Sequence, residues 1–556
     1  MLLADLERHA RERGARPCLV HWDDGRYQVL TFAQFAEISD RLATAVRRQA
    51  KVGSQVVLLI LKHHVLQLPL FVGCMKAGLI PCFLPFPSVK QDRDLYWKTH
   101  EEVINRSRPA LIVTYGELVA GVSAIATKCG APIADIATLE EALASSDHHP
   151  PCRPREDDIA LLQHSSGTTG LKKGVALSYG QIARQIAAYA PAAVLDSAST
   201  IVNWLPYYHD MGLFTAFLMP LLIGATVISM DAFDWVSQPE LVLDLFERFR
   251  ATHCWLPNFA FSHIVNTTSA DRAYDLKSLR AIINCSEPVK AATFAAFLDR
   301  FEGCGITRSK LKACYAMAET CFAVSQTSSE ADYEVRWYDA QLLDREGRAL
   351  QRPAGSAGAR PYVSNGAPIA GIEVRILSGL SVPRRDIGLP VGEIAVRGTF
   401  VFKGYFANDE ATSAAFQGDW YCTGDVGFID EGGVFICGRK KDLLIVHGRN
   451  YYAHDIEAAA SSIAEIIPGR IVAIGVFDDE VGSEEAVILA ETYAPAQAHK
   501  ALRREVKRRV YGALELTPQK VDFVPHGWLV KTTSGKISRS ENLTRYLART
   551  AAKELV

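Results

Sequence analysis

The sequence predicts an α/β protein: a large N-terminal region of helix-covered, mainly parallel sheets with a β-rich subdomain, then a small C-terminal α/β domain. Three observations lead there. At 556 residues the chain exceeds what one simple core organises, so two or more domains are expected. Continuous apolar runs recur, as strands covered on both faces require. Stretches with helical spacing lie between them, the signature of parallel strands joined by helices.

In chain order, Thr31-Phe32-Ala33-Gln34 fits a capping box, and Phe35, Ile38, Leu42 and Val46 then mark one helical face. Val56 to Leu61 follows as an unbroken apolar strand, and Ala110 to Thr114, Ile201 to Leu205 and Leu279 to Ile283 repeat its character. Met211 to Met230 is uncharged and roughly long enough to span a bilayer. Gly212, Pro220 and Gly224 interrupt it, so a buried helix followed by the strand Ala225 to Met230 is expected instead of a membrane span. Ser328 to Pro361 is polar, carries Gly347, Pro353, Gly355 and Gly358, and reads as an insertion or long loop before the strand Ile372 to Leu377. From Gly392 the strands shorten and glycines cluster, as in a β-rich subdomain. A change of scale at Gly438 divides the chain into 1–437 and 438–556. The second part holds the strand Ile471 to Val476 and a helix with the stripe Leu502, Val506, Val510 and Leu514.

Composition narrows the function classes. The chain is 49% hydrophobic and 22% charged with a formal net charge of −2, which argues against bulk nucleic-acid binding. Met1 to Arg8 is charged from its fifth residue and lacks an apolar core, so no secretory signal is expected. Twelve cysteines are scattered without a Cys-x-x-Cys pair, several within apolar runs. They read as small buried hydrophobes in a reducing compartment, pointing to the cytoplasm.

Four loop signatures carry the chemistry. Ser165-Ser166-Gly167-Thr168-Thr169-Gly170-Leu171-Lys172-Lys173-Gly174 offers glycines for close backbone approach to phosphate, with hydroxyls and lysines as further donors. It is not a Walker loop, because no Ser or Thr follows Gly-Lys at the required spacing. Tyr315-Ala316-Met317-Ala318-Glu319 sets a ring that can stack on adenine four residues from a carboxylate that can hold Mg²⁺. Thr423-Gly424-Asp425 presents a carboxylate suited to both ribose hydroxyls, and Arg439 is a second contact. Thr533-Ser534-Gly535-Lys536 places one cation at the tip of a small, flexible turn. Tyr207-Tyr208-His209-Asp210-Met211-Gly212 lies beyond a strand end, where open α/β sheets bind ligands, and His209 is a candidate for the carboxylate pocket. Each segment alone also fits an ordinary turn, a core tyrosine or a histidine bonded to a carbonyl. In this order they supply what is needed to hold ATP and attack its α-phosphate with a carboxylate.

With these motifs together, the chain resembles the adenylate-forming superfamily of acyl-CoA synthetases, luciferases and peptide-synthetase adenylation domains over nearly its full length. The resemblance implies ATP and Mg²⁺ as cofactors. It assigns the β- and γ-phosphates to the loop from Ser165 to Gly170 with Lys173, and Mg²⁺ to Thr168 and Glu319. The adenine falls to Tyr315 with Ala316, Met317, Ser286, Glu287 and Pro288, and the ribose to Asp425 and Arg439. Lys536, on a mobile C-terminal domain, assists adenylation, and Lys441 is the hinge. Trp204 to Leu213, Pro257 to Phe261 and Asn284 to Val289 look closest to the fatty acyl-AMP ligases. In those ligases an insertion, here at about 328–361, restrains the small domain. The acid then passes to the phosphopantetheine of a holo acyl carrier protein; CoA as acceptor is the alternative. Three departures stand out: Lys172 and Ala453 where proline is usual, and Cys285-Ser286 in place of Gly-Ala. None removes a catalytic group. A catalytically silent nucleotide-binding protein is a further reading, against which Glu319, Asp425 and Lys536 together speak. Finally, Lys500 to Arg509 carries six cations against Glu505, a face that is either solvated or a docking surface for an acidic carrier.

Overall fold

The structure is a computed structural model describing residues 2–87, 93–144, 151–164, 173–269, 271–377, 387–447, 449–461, 463–478, 483–531 and 536–554. The expected parallel sheets are present. Six parallel strands, Leu311–Ala316, Ala281–Asn284, His253–Leu256, Thr200–Asn203, Thr226–Ser229 and Pro17–Asp23, run side by side in that order. Antiparallel strands extend this sheet at both ends. A second, four-stranded parallel sheet sets Val56–Ile60 between Ile80–Leu84 and Leu111–Thr114. Every residue of Val56–Ile60 is buried, which is why its sequence shows no polar alternation.

Local signals translate directly into structure. Thr31 Oγ1 accepts from the Gln34 N–H while Gln34 Oε1 accepts from the Thr31 N–H, closing the capping box of the helix Phe32–Gln49. The stripe Phe35, Leu42 and Val46 is buried beneath it, with Ile38 half-buried. The uncharged stretch after Met211 is a buried helical segment that ends at Gly224 in the left-handed conformation, then the strand Thr226–Ser229. Among the described residues no helix is long and apolar enough to cross a membrane. All twelve cysteines are free.

Ser328 to Pro361 departs from the loop expectation. Val335–Asp339 pairs with Gln351–Arg352 and Ala359–Val363, and the helix Ala340–Glu346 packs between them in sequence. These elements are too short to show a period, and their apolar anchor lies elsewhere in the chain. Tyr338 is fully buried against Phe428 and Phe435, and its hydroxyl donates to Asp430 at 2.6 Å.

Beyond the β-rich sheet that ends with Gly433–Arg439, the 3₁₀ turn Lys440–Asp442 leads into a smaller C-terminal domain. Its own apolar core runs from Leu444 to Phe523 and includes Leu502, Val506 and Val510. Ile466–Asp478 pairs antiparallel with Ser483–Thr492, which pairs parallel with Lys520–Val524. A Cβ on Gly438 would meet the Tyr452 ring at 2.5 Å, so glycine permits the close approach at this junction.

Gly366 joins the 328–361 unit to the main sheet with φ +77°, and a Cβ there would collide with the Gln326 carbonyl. Gly366→Ala is therefore expected to destabilise the fold by more than about 1 kcal/mol, read as a lower urea midpoint at unchanged m-value.

Candidate active site

Tyr315, Asp425 and Arg439 meet where the six-stranded parallel array meets the β-rich sheet. Tyr315 lies one residue from the end of Leu311–Ala316, the outermost of the six parallel strands, and its hydroxyl donates to Asp425 Oδ2 at 2.7 Å. Asp425 sits in register opposite Arg439, whose Nε lies 3.2 Å from Oδ1. The turn is built to aim this carboxylate: Gly424 takes φ +72°, and Thr423 Oγ1 accepts from the Asp425 N–H while donating to the Ile394 carbonyl. Both carboxylate oxygens are thus oriented before any ligand arrives. A hydrogen bond to such a charged acceptor is worth about 1.5–3 kcal/mol.

Glu319 lies in the 3₁₀ turn Ala318–Thr320 and is buried. Burial pushes its carboxyl upward; a backbone N–H and the Tyr405 hydroxyl, 3.0 Å from Oε1, pull the other way. Lys173 lies over the same tyrosine, its Nζ 4.8 Å from the centre of the Tyr405 ring. Tyr405 thus joins the candidate metal carboxylate to the candidate phosphate lysine. No spacing or motif around Gly404-Tyr405-Phe406 marked it, and only the fold reveals it.

Ser165, Ser166, Gly167, Thr168, Thr169 and Gly170 fall outside the described residues. The strands framing them, Ile159–His164 and Gly174–Ser178, form an antiparallel hairpin. Among the described residues no three His, Cys, Asp or Glu side chains form a metal cluster. Glu319 alone suits Mg²⁺, which binds through one or two carboxylates plus phosphate oxygens and water.

Lys536 reaches the same cleft from the C-terminal domain. Its Nζ donates to the Ser286 carbonyl at 2.8 Å. Ser286 has φ +70°, a left-handed backbone unusual for serine. Beside it Glu287 Oε2 accepts from the Phe259 N–H at 2.9 Å, and Pro288 is half-buried in the same loop. Ala316 and Met317 are half-buried after Tyr315, with the Met317 N–H bonded to the Phe322 carbonyl. His209 precedes the short helix Asp210–Leu213, in extended conformation.

Asp210 is where these groups converge electrostatically. Burial raises its carboxyl, while the Met211 N–H, Lys536 and Arg439 draw it back down, and its charge in turn raises Glu319. Sequence reasoning quoted Asp210 within its motif without giving it a role. At the hinge candidate, desolvation and the neighbouring Arg439 lower the Lys441 ammonium to about 8. The cationic helix His499–Leu514 is partly neutralised in place. Glu505 binds Arg508 and Arg509, while Arg503 and Lys507 donate to backbone carbonyls.

Residues 6–406 match the AMP-binding enzyme family. The chain is 34% identical over 508 residues to a 4-hydroxyphenylalkanoate adenylyltransferase of Mycobacterium tuberculosis, covering 86% of this chain and 80% of that protein. It is 32% identical over 506 residues to the long-chain-fatty-acid–AMP ligase FadD26 of Mycobacterium bovis, covering 86% and 84%. A solved structure from work on fatty acyl-adenylate ligases of E. coli and L. pneumophila superposes with a TM-score of 0.89 at 25% identity, covering 99% of this chain and 98% of that one.

The raised Asp210 carboxyl makes a signed prediction. A carboxyl whose folded value lies above its unfolded value loses stability as pH rises, because the unfolded chain ionises first. Asp210→Asn should therefore gain stability relative to the parent as pH climbs from acidic to neutral, seen as a melting-temperature difference that widens in favour of Asn.

Proposed function

From the AMP-binding enzymes, the family to which this chain belongs, we propose that the protein is an acyl-AMP ligase that activates fatty acids. The observation that carries the reading is the Lys536–Ser286 contact, by which a cation of the C-terminal domain acts on Asp210 together with Arg439 of the Tyr315–Asp425–Arg439 set. In the first step a carboxylate oxygen attacks the α-phosphorus of ATP, the bond to the bridging oxygen breaks, and acyl-AMP and pyrophosphate form.

Each side chain has a part in that step. Tyr315 offers its ring to adenine, with Ala316, Met317 and Ser286 to Pro288 around it; Asp425 accepts from the ribose hydroxyls and Arg439 donates to a ribose oxygen. Lys173 and the loop from Ser165 to Gly170 hold the β- and γ-phosphates. Glu319 and Thr168 would hold Mg²⁺, which would supply countercharge for the pyrophosphate. Lys536 neutralises the oxygens that gain charge at the pentavalent phosphorus, and His209 lines the acid's carboxylate end. The division at 438, with Lys441 as pivot, then lets the C-terminal domain turn a different face to the cleft for the second step.

In that step a thiolate attacks the acyl carbonyl and AMP leaves. The acceptor we favour is the phosphopantetheine thiol of an acyl carrier protein, in a cytoplasmic setting. Supporting this, the folded 328–361 unit stands against the C-terminal domain, with Arg360 3.9 Å from Asp455.

ATP–pyrophosphate exchange across fatty acids and 4-hydroxyphenylalkanoates tests the first step; exchange is expected with medium or long fatty acids, and none with any acid contradicts the reading. Lys536→Ala should cut exchange by about 10²–10³-fold. Thioester yield with a holo carrier protein should exceed that with CoA; the reverse order assigns CoA as acceptor.

A further inference from the structure

The core loop that receives Lys536 holds the C-terminal domain at a second point. Lys290, four residues beyond Ser286, places Nζ 3.0 Å from Asp455 Oδ1. Both ends of this ion pair are fixed in their own domain. The Lys290 N–H donates to Asn258 Oδ1, which also accepts from Asn284 Nδ2, and Lys290 directly precedes the core helix Ala291–Phe301. Asp455 lies in the first turn of the helix Ala453–Ser461, whose Ala453, Ile456 and Ala460 are buried in the C-terminal core.

The pair is sheltered, more so on the acid side, with side-chain exposures of 38% for Lys290 and 17% for Asp455. Two other groups face the carboxylate: His454 at 3.5 Å and Arg360 at 3.9 Å. Burial pushes the His454 imidazole down to about 4, so it is neutral near pH 7. Burial alone would raise the Asp455 carboxyl, but His454, Lys290 and Arg360 hold it down to about 2. Asp455 is therefore charged, and Lys290 is its nearest cation.

Geometry makes this second contact consequential. A domain tethered by a flexible turn and one lysine hydrogen bond can still rotate about that bond. Two anchors on one loop, with Arg360 3.9 Å from the same carboxylate, define its orientation. We propose that the Lys290–Asp455 ion pair is a clasp that holds the C-terminal domain in the orientation presenting Lys536 to the adenylation site, and that it opens for the second step. Both are positioning residues acting through Lys536, and the proposal rests on the reading of Lys536 as the adenylating lysine.

The test uses Lys290→Gln, Asp455→Asn, their double variant, and the charge-swapped pair Lys290→Asp with Asp455→Lys, each compared with the parent for melting temperature. Asp455→Glu serves as the conservative control should the swapped pair not fold. Each single variant should lower kcat for acyl-AMP formation about tenfold, with KM for ATP and acid within about twofold. The double variant should be no slower than either single, and the swapped pair or Asp455→Glu should recover most of the rate. High salt should slow the parent more than Asp455→Asn. Parent-like kcat in the single variants, additive losses in the double, or losses confined to KM overturn the clasp. Lys536→Ala run alongside separates the two claims. If it too leaves adenylation at the parent rate, the reading of the lysine fails; if it alone slows the reaction, only the clasp fails.

Discussion

Lys536 crosses from one domain to the other to donate a 2.8 Å hydrogen bond to a carbonyl 250 residues earlier in the chain, and the arrangement of the cleft follows from that meeting. The acceptor is presented by a serine at φ +70°, a conformation that costs on the order of 1–3 kcal/mol and persists only where surrounding contacts over-determine it. Here they do. Asn258 ties down both Asn284 and Lys290 on either side of Ser286, and Glu287 is bonded to the Phe259 N–H. A strained carbonyl held by its neighbours is a fixed target for a side chain that arrives from the C-terminal domain.

The same cleft collects charge that would be unfavourable without a ligand. Asp210 and Glu319 are both raised by burial, and the charge of Asp210 makes Glu319 harder to ionise. Cations offset this: Lys536 and Arg439 lower Asp210, and Arg439 also lowers Glu319. Such a site favours a ligand that brings its own divalent cation and negative phosphates, because each then completes a pair already half built. Stability has been traded for preorganised electrostatics, as expected where charge must be met without rearrangement.

How much of this was legible in the sequence depends on where the constraint acted. The capping box at Thr31 and Gln34 and the apolar strand Val56–Ile60 are local patterns, and both appear as read. The pairing of Tyr315 with Asp425 was implied only by motif order, since 110 residues separate them. Tyr405 was invisible because its role arises from contacts to positions 173 and 319, neither of which is near in sequence. The 328–361 stretch looked irregular because its two- to seven-residue elements bury Tyr338 against Phe428 and Phe435, rings supplied by a later part of the chain. Periodicity reports only a segment's own burial; it is silent where the partner is distant.

The central claim is that a single closed cleft joins an acid to AMP with a lysine delivered from the second domain. A crystal structure with a non-hydrolysable fatty acyl-sulfamoyl adenosine tests it most directly. The account predicts the adenine ring against Tyr315, both ribose hydroxyls on Asp425, and Lys536 Nζ within hydrogen-bonding distance of the linker that replaces the phosphate. Density for the adenosine away from Tyr315 and Asp425, or Lys536 turned to solvent with the analogue in place, would contradict it.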